Sequence, residues 1–263
     1  MERPSRLNIC SCKIVFLVLF VMMFAVLPAQ LLAETSANII CKYSFDGSRY
    51  YYNFDVQNTS DTGYDVYDIM LGFQQNVPID PNPDNQTFVN TLPVHCPDLW
   101  NCTVGYAYGG DAFYSTDWRG DSTSSGYIVA GTSLSGFAFS SPTPPPLNVP
   151  FSVDFYWSVG WGGIPYLSTT TCTPATAQEI VNEIGAVIND LVNSKFLSAG
   201  QGKTLNSQLA LALQLFNKGK TKQACNALQD FINQVHSLVK PRGLPAYQGA
   251  VLVGLANSVN ACK

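Results

Sequence analysis

The chain changes its hydrophobic rhythm twice. Residues 14–27 form an unbroken apolar run. From about residue 38 to residue 172 the apolar positions alternate with polar ones. "YYYNFDVQN", "YDVYDIMLGF", "CTVGYAYGG", "GYIVAGTSLSGFAFS" and "VPFSVDFYWSV" are rich in Tyr, Phe, Val and Thr, with Gly, Asn, Asp and Pro clusters between them. A period of two with such punctuation predicts half-buried strands, and Asp46-Gly47 predicts a hairpin turn. Many short strands at this spacing point to an antiparallel β-sandwich.

After residue 172 the period becomes that of a helix. Ile180, Ile184, Val187, Ile188 and Leu191 make one stripe. Leu205, Leu209, Leu213 and Phe216 make a second, and Ala224, Leu228, Phe231, Ile232, Val235 and Leu238 a third. Ala246, Ala250, Val253, Ala256 and Val259 make a weaker fourth. Thr173-Pro174 reads as an N-cap with proline at the first helical position. Gly200 with Gly202, Gly219 and Pro241-Arg242-Gly243 read as breaks between helices. Four short amphipathic helices with short loops predict a small four-helix bundle. The expected fold class is therefore α+β in separate parts. Residues 1–37 are an export signal, 38–172 a sandwich domain and 173–263 a helical module.

Charge sharpens that division. Residues 38–172 hold twelve aspartates, no glutamate and three basic residues, whereas residues 173–263 hold eight Lys/Arg and four acids. An acidic part followed by a basic part marks a boundary. The absence of glutamate suits a turn-rich strand domain, because Asp bonds its own backbone in turns. A net charge of −4 with only 12% charged residues gives no electrostatic ground for nucleic-acid binding.

Arg3, Arg6 and Lys13 precede the apolar run, and Pro28 and Leu31-Leu32-Ala33 follow it. That order reads as a secretory signal with cleavage after Ala33 or Ala37. The alternative is an uncleaved anchor, since Ile14 to Ala33 is long enough to span a bilayer. Asn38-Ile39-Ile40 lacks the small residues that a lipid-anchor site at Cys41 requires. With the signal cleaved, no later segment is apolar enough to span a membrane, so the expected location is extracellular or in the cell envelope.

Cys10 and Cys12 lie in the signal, leaving six cysteines. An even count in an exported chain predicts disulfides. Cys225 near the start of the third helix and Cys262 at the end of the fourth meet if those helices are antiparallel neighbours. Cys41 and Cys172 would pin the two ends of the sandwich, and Cys96 and Cys102 would close a short loop. No CxxC pair is present and histidines number two, His95 and His236, so a zinc site is not expected.

At the C-terminus, "AQEIVNEIGAVINDLVNSKFLSAGQGKTLNSQLALALQLFNKGKTKQACNALQDFINQVHSL" followed by "LVGLANSVNAC" resembles the FIMAH helical module of secreted bacterial proteins. The resemblance implies a bacterial protein that is exported or surface-borne. It implies no activity, since such modules look like accessories to varied partners. The strand part is similar to immunoglobulin- or fibronectin-like modules in pattern alone.

Several motifs invite chemistry. Ser198 to Leu205, "SAGQGKTL", mimics a phosphate-binding loop, but Leu197 stands where the first glycine is required and a helix precedes it in place of a strand. Arg119-Gly120-Asp121 spells an integrin-binding tripeptide and reads as a turn. Asp80, Asn82 and Asp84 alternate oxygen ligands as calcium loops do, which makes Ca²⁺ the one candidate cofactor. Asp111, Asp117 and Asp154 are candidate acid and base for glycoside hydrolysis, which needs two carboxyls facing one substrate. Tyr50-Tyr51-Tyr52, Tyr64, Tyr67, Tyr106, Tyr108, Trp118, Trp157 and Trp161 supply aromatics for sugars or partner proteins if they face outward. Asn58, Asn85 and Asn101 are glycosylation sequons relevant to a eukaryotic host. The reading that follows is a non-enzymatic exported bacterial protein that binds or adheres to an extracellular protein or glycan. Its rivals are a carbohydrate-binding or glycan-active accessory and a structural envelope protein.

Overall fold

The computed structural model describes residues 35–263 apart from 62, 73–90, 105–106, 109–111, 114–115, 122–125, 158–164, 241–242 and 263. Among the described residues, twelve strands precede four helices: β1 Ala37–Phe45, β2 Tyr50–Asn58, β3 Tyr64–Leu71, β4 Leu92–His95, β5 Trp100–Val104, β6 Ala107–Tyr108, β7 Ala112–Phe113, β8 Thr116–Gly120, β9 Ser133–Ser141, β10 Val149–Trp157, β11 Tyr166–Thr170 and β12 Cys172–Pro174. The helices are α1 Ala177–Asn193, α2 Ala199–Asn217, α3 Thr221–Leu238 and α4 Ala246–Asn257.

Two five-stranded sheets form the sandwich. One runs β12-β1-β2-β9-β4 and the other β11-β10-β3-β8-β5, with β6-β7 as a separate hairpin. All pairs are antiparallel except β1 with β12. Alternation along β2 does most of the sorting. Tyr52, Phe54 and Val56 point into the core between the sheets, while Tyr51, Asn53 and Asp55 point out of it. The core is aromatic. Trp118 stacks on Phe137 with ring centroids 4.9 Å apart and meets Phe54 edge-on at 5.5 Å. Trp118, Tyr51 and Tyr52 are buried, and Tyr50, Tyr64 and Tyr67 are half-buried. These six aromatics therefore pack the fold and do not form an exposed binding face. Tyr106 and Trp161 lie outside the described residues.

Among the described residues, three disulfides hold the chain. Cys41–Cys172 joins the paired strands β1 and β12, Cys96–Cys102 ties the edge strands β4 and β5 of opposite sheets, and Cys225–Cys262 ties α3 to a short 3-10 turn after α4.

The helices begin where their caps are. Thr173 and Pro174 belong to β12, so they do not open the first helix. Thr176 caps α1 instead, in a reciprocal box with Glu179. Gly200 and Gly202 likewise lie inside α2 and not between helices. Ser198 and Gln201 form a second capping box that starts α2 at Ala199. "SAGQGKTL" is thus a helix start. Gly202 is required there because a Cβ would stand 2.4 Å from Val192 Cγ2 of α1. The predicted stripe of α4 holds only in part: Ala256 and the following Val259 are buried, but Ala246 and Ala250 are exposed, and Val251, Leu252 and Leu255 are buried beside them. This helix is apolar around most of its circumference and packs between the other helices and the sheet, so periodicity alone selects no face. Arg119 and Gly120 end strand β8 and do not form a turn.

Sandwich and helices make one compact unit, Thr35–Lys263. The helical core includes Tyr51 of β2, with Val94 of β4 packed against it. A buried Ser258–Ser44 hydrogen bond of 2.7 Å links the residue after α4 to β1, and Tyr247 of α4 donates to the Pro93 carbonyl.

Candidate functional site

The outward face of the first sheet and helix α1 enclose a cavity of about 360 Å³. Cross-strand register builds its floor. Lys42 of β1 lies opposite Asn53 of β2, and Asn53 lies opposite Ala138 of β9. His95 of β4 lies opposite Ala138 from the other side. Helix α1 supplies the roof with Glu179, Ile180, Asn182 and Glu183, one helical turn of side chains. Gly136 makes room for His95. Its φ is +95°, and a Cβ would lie 2.7 Å from the imidazole Nε2.

Three polar links cross from strands to helix. Lys42 Nζ stands 3.5 Å from Glu179 Oε1. His95 Nδ1 shares a hydrogen bond with Asp190 Oδ2. Asn53 Nδ2 donates to Glu183 Oε2. Glu183 is the unusual member. It is buried, and its second oxygen, Oε1, has no hydrogen-bond partner among the described residues. Burial pushes its carboxyl up to about 7, with the Asp190 and Asp55 charges in the same direction and His95 opposing. Burial would lower His95, but its hydrogen bond with Asp190 and the Glu183 and Asp190 charges outweigh that and raise it.

A second cluster lies on the outward face of the other sheet. Asp154 of β10, Asp68 of β3 and Arg119 of β8 are cross-strand neighbours in one row. Arg119 Nε lies 2.9 Å from Asp68 Oδ2 and 3.4 Å from Asp117 Oδ1. Burial raises Asp68 to about 8, with the Asp117 charge adding and Arg119 opposing. Burial raises Asp154 as well, against Arg119.

Of the three aspartates marked in the sequence, the fold brings Asp154 into the row with Asp68 and Arg119, and brings Asp117, opposite Met70, to the same guanidinium. Asp111 and the calcium candidates Asp80, Asn82 and Asp84 lie outside the described residues. Among the described residues no three His, Cys, Asp or Glu side chains are grouped to hold a metal ion. Among them, too, no helix is long and apolar enough to cross a membrane. Sequence reasoning missed Glu183, His95 and Asp68 as site residues. Glu183 carried a signal: it sits three residues after Ile180, inside the buried stripe of α1. An acid on an apolar face has to be accounted for. Asp68 gave none, because strand register brings it to its partners.

Comparison with known proteins places the roof of the cavity. Residues 181–261 match the FIMAH domain. Glu183 and Asp190 therefore belong to the FIMAH segment, and their partners Asn53 and His95 to the sandwich. No curated protein matches the chain. An uncharacterized protein from Nocardia farcinica, described as having an immunoglobulin-like fold, is similar in structure at 15% identity with a TM-score of 0.32. The match covers 51% of this chain and 97% of that one.

Proposed function

We propose that this chain is a non-enzymatic bacterial protein, exported to the cell surface or beyond, whose sandwich and FIMAH segment act as one body that binds a small extracellular ligand or the end of a larger one, such as a glycan. The observation that carries this reading is the jointly built cavity with a buried, half-unsatisfied carboxyl. Pockets between two structural units with a perturbed titratable group are where ligands commonly sit. The three disulfides and the FIMAH match support export. A glycan array and a panel of small polar metabolites, read with the disulfide-bonded protein, test it. Ligands that shift residues lining the cavity support it.

A second reading, a glycan-active enzyme, is favoured by the Asp68–Asp117 pair. Burial raises the Asp68 carboxyl beside its neighbour, and two adjacent carboxyls are the groups an acid–base reaction uses. Both groups here are held by one guanidinium in the plane of a sheet. Turnover of a glycoside that disappears in Asp117→Asn would overturn the binding reading.

A further inference from the structure

We infer that the cavity between the sandwich and α1 is a site for a small organic cation, an ammonium or guanidinium on a short, partly apolar body, held by Glu183 with Asp55. The inference rests on the binding reading above and names the ligand class for that site.

The charge inventory of the cavity carries it. Lys42 is engaged by Glu179, and His95 by Asp190. Two carboxyls remain on the lining with no salt bridge to a basic side chain among the described residues, Glu183 from α1 and Asp55 from β2, and the His95 charge that acts on Glu183 is itself engaged by Asp190. They are close enough for the Asp55 charge to act on Glu183. Glu183 Oε2 already accepts from Asn53, and Oε1 is buried and unpartnered. An unsatisfied buried carboxyl oxygen is costly, and a hydrogen bond from a charged donor is the strongest remedy. The rest of the wall is suited to a mixed body. Ile180, Ala138, Ala186 and Leu255 offer apolar surface, and Ser44 and Asn182 offer hydrogen-bonding groups. An anion would meet Glu183, Asp55 and Glu179 against Lys42 and His95, both already paired.

The groups facing Glu183 can be named from each element. Lys42 comes from β1, Asp55 and the Asn53 amide from β2, His95 from β4, and Glu179 and Asp190 from its own helix. The α4 helix brings Leu255. Because burial raises the Glu183 carboxyl to about 7, capture of a cation favours its ionised form. Binding near pH 7 is then coupled to proton release from that carboxyl. The bond that breaks is the O–H of the protonated carboxyl fraction, and its proton passes to the buffer.

The test is a charge series of one shape: hexylamine, 1-hexanol and hexanoate, titrated calorimetrically at pH 7 in phosphate and in Tris. Amide chemical shifts report the location. The expected result is that hexylamine binds at the cavity and that its apparent heat differs between the buffers by the proton released. It should also bind about tenfold or more tightly than 1-hexanol. Glu183→Gln, which keeps shape and the Asn53 hydrogen bond, abolishes that preference. Asp55→Asn weakens amine binding as an independent second variant. Equal binding of 1-hexanol and hexylamine at the cavity, or an amine preference that survives in Glu183→Gln, overturns the cation assignment and leaves the cavity as a binding site. Shifts confined to residues elsewhere, for all three probes, overturn both.

Discussion

Replacing Glu183 by Gln changes how the stability of this protein depends on pH, and the structure sets the sign. The carboxyl is raised from an ordinary 4.5 to about 7 in the folded chain. Between those values the folded state binds more protons than the unfolded one, so stability falls as pH rises. The penalty is absent below about pH 4.5 and complete above about pH 8. Its upper size, from 4.5 to about 7 at about 1.4 kcal/mol per unit of pH, is about 3.5 kcal/mol before relaxation and water entry reduce it. His95 works in the same direction. Its raised value gives stability that is present below its unfolded pKa and lost as pH rises through the folded one. Asp46 and Glu179 are lowered and act oppositely, at the acid end. The informative quantity is thus the difference between Glu183→Gln and the parent. Chemical denaturation followed by the fluorescence of the buried Trp118, at pH 5, 6, 7 and 8, measures it. Glu183→Gln is expected to match the parent near pH 5 and to exceed it by about 1–3 kcal/mol at pH 8. A difference that is flat from pH 5 to 8, or a parent more stable than the variant at pH 8, refutes the assignment of an unsatisfied buried carboxyl.

Other outcomes follow from the same contacts. Arg119→Gln leaves Asp68, Asp117 and Asp154 without their guanidinium and should cost about 2 kcal/mol, less than a fully buried pair because Arg119 is 54% exposed; thermal unfolding at pH 7 checks it. Gly202→Ala should destabilise by about 1–2 kcal/mol despite its better helix propensity, because the Cβ meets Val192 at 2.4 Å, while Lys203→Ala leaves stability unchanged and neither protein binds ATP in equilibrium dialysis. Signal processing should fall between Ala33 and Glu34 and not after Ala37, since Ala37 is buried in β1 and the Ser36 backbone N–H donates to Ser60 Oγ at 2.8 Å; mass spectrometry of the exported protein reads the new N-terminus.

By itself the sequence determined the two kinds of structure and the order in which they come. Period two and period 3.6 are local properties: β2, β3, β5, β9 and β10 and the four described helices appear where those periods run, while the edge strands β4, β11 and β12 carried no such signal. It also determined that "SAGQGKTL" is no phosphate loop, because one side chain, Leu197, decides that. Helix starts were less legible. Capping boxes at Thr176–Glu179 and Ser198–Gln201 were present as letters, yet Pro174 and two glycines competed with them as punctuation. Only the tertiary structure decided where function can reside. Which side of β2 meets the helices follows from the inter-strand register, and that turns Asn53 and Asp55 from strand residues into cavity walls. Asp68 joins Asp154 and Arg119 for the same reason, across strands separated by up to about ninety residues in the chain. The face of α4 and the unsatisfied oxygen of Glu183 exist only once the helices rest on the sheet. Long-range juxtaposition is the property that a one-dimensional pattern does not carry, and in this protein both charged clusters depend on it.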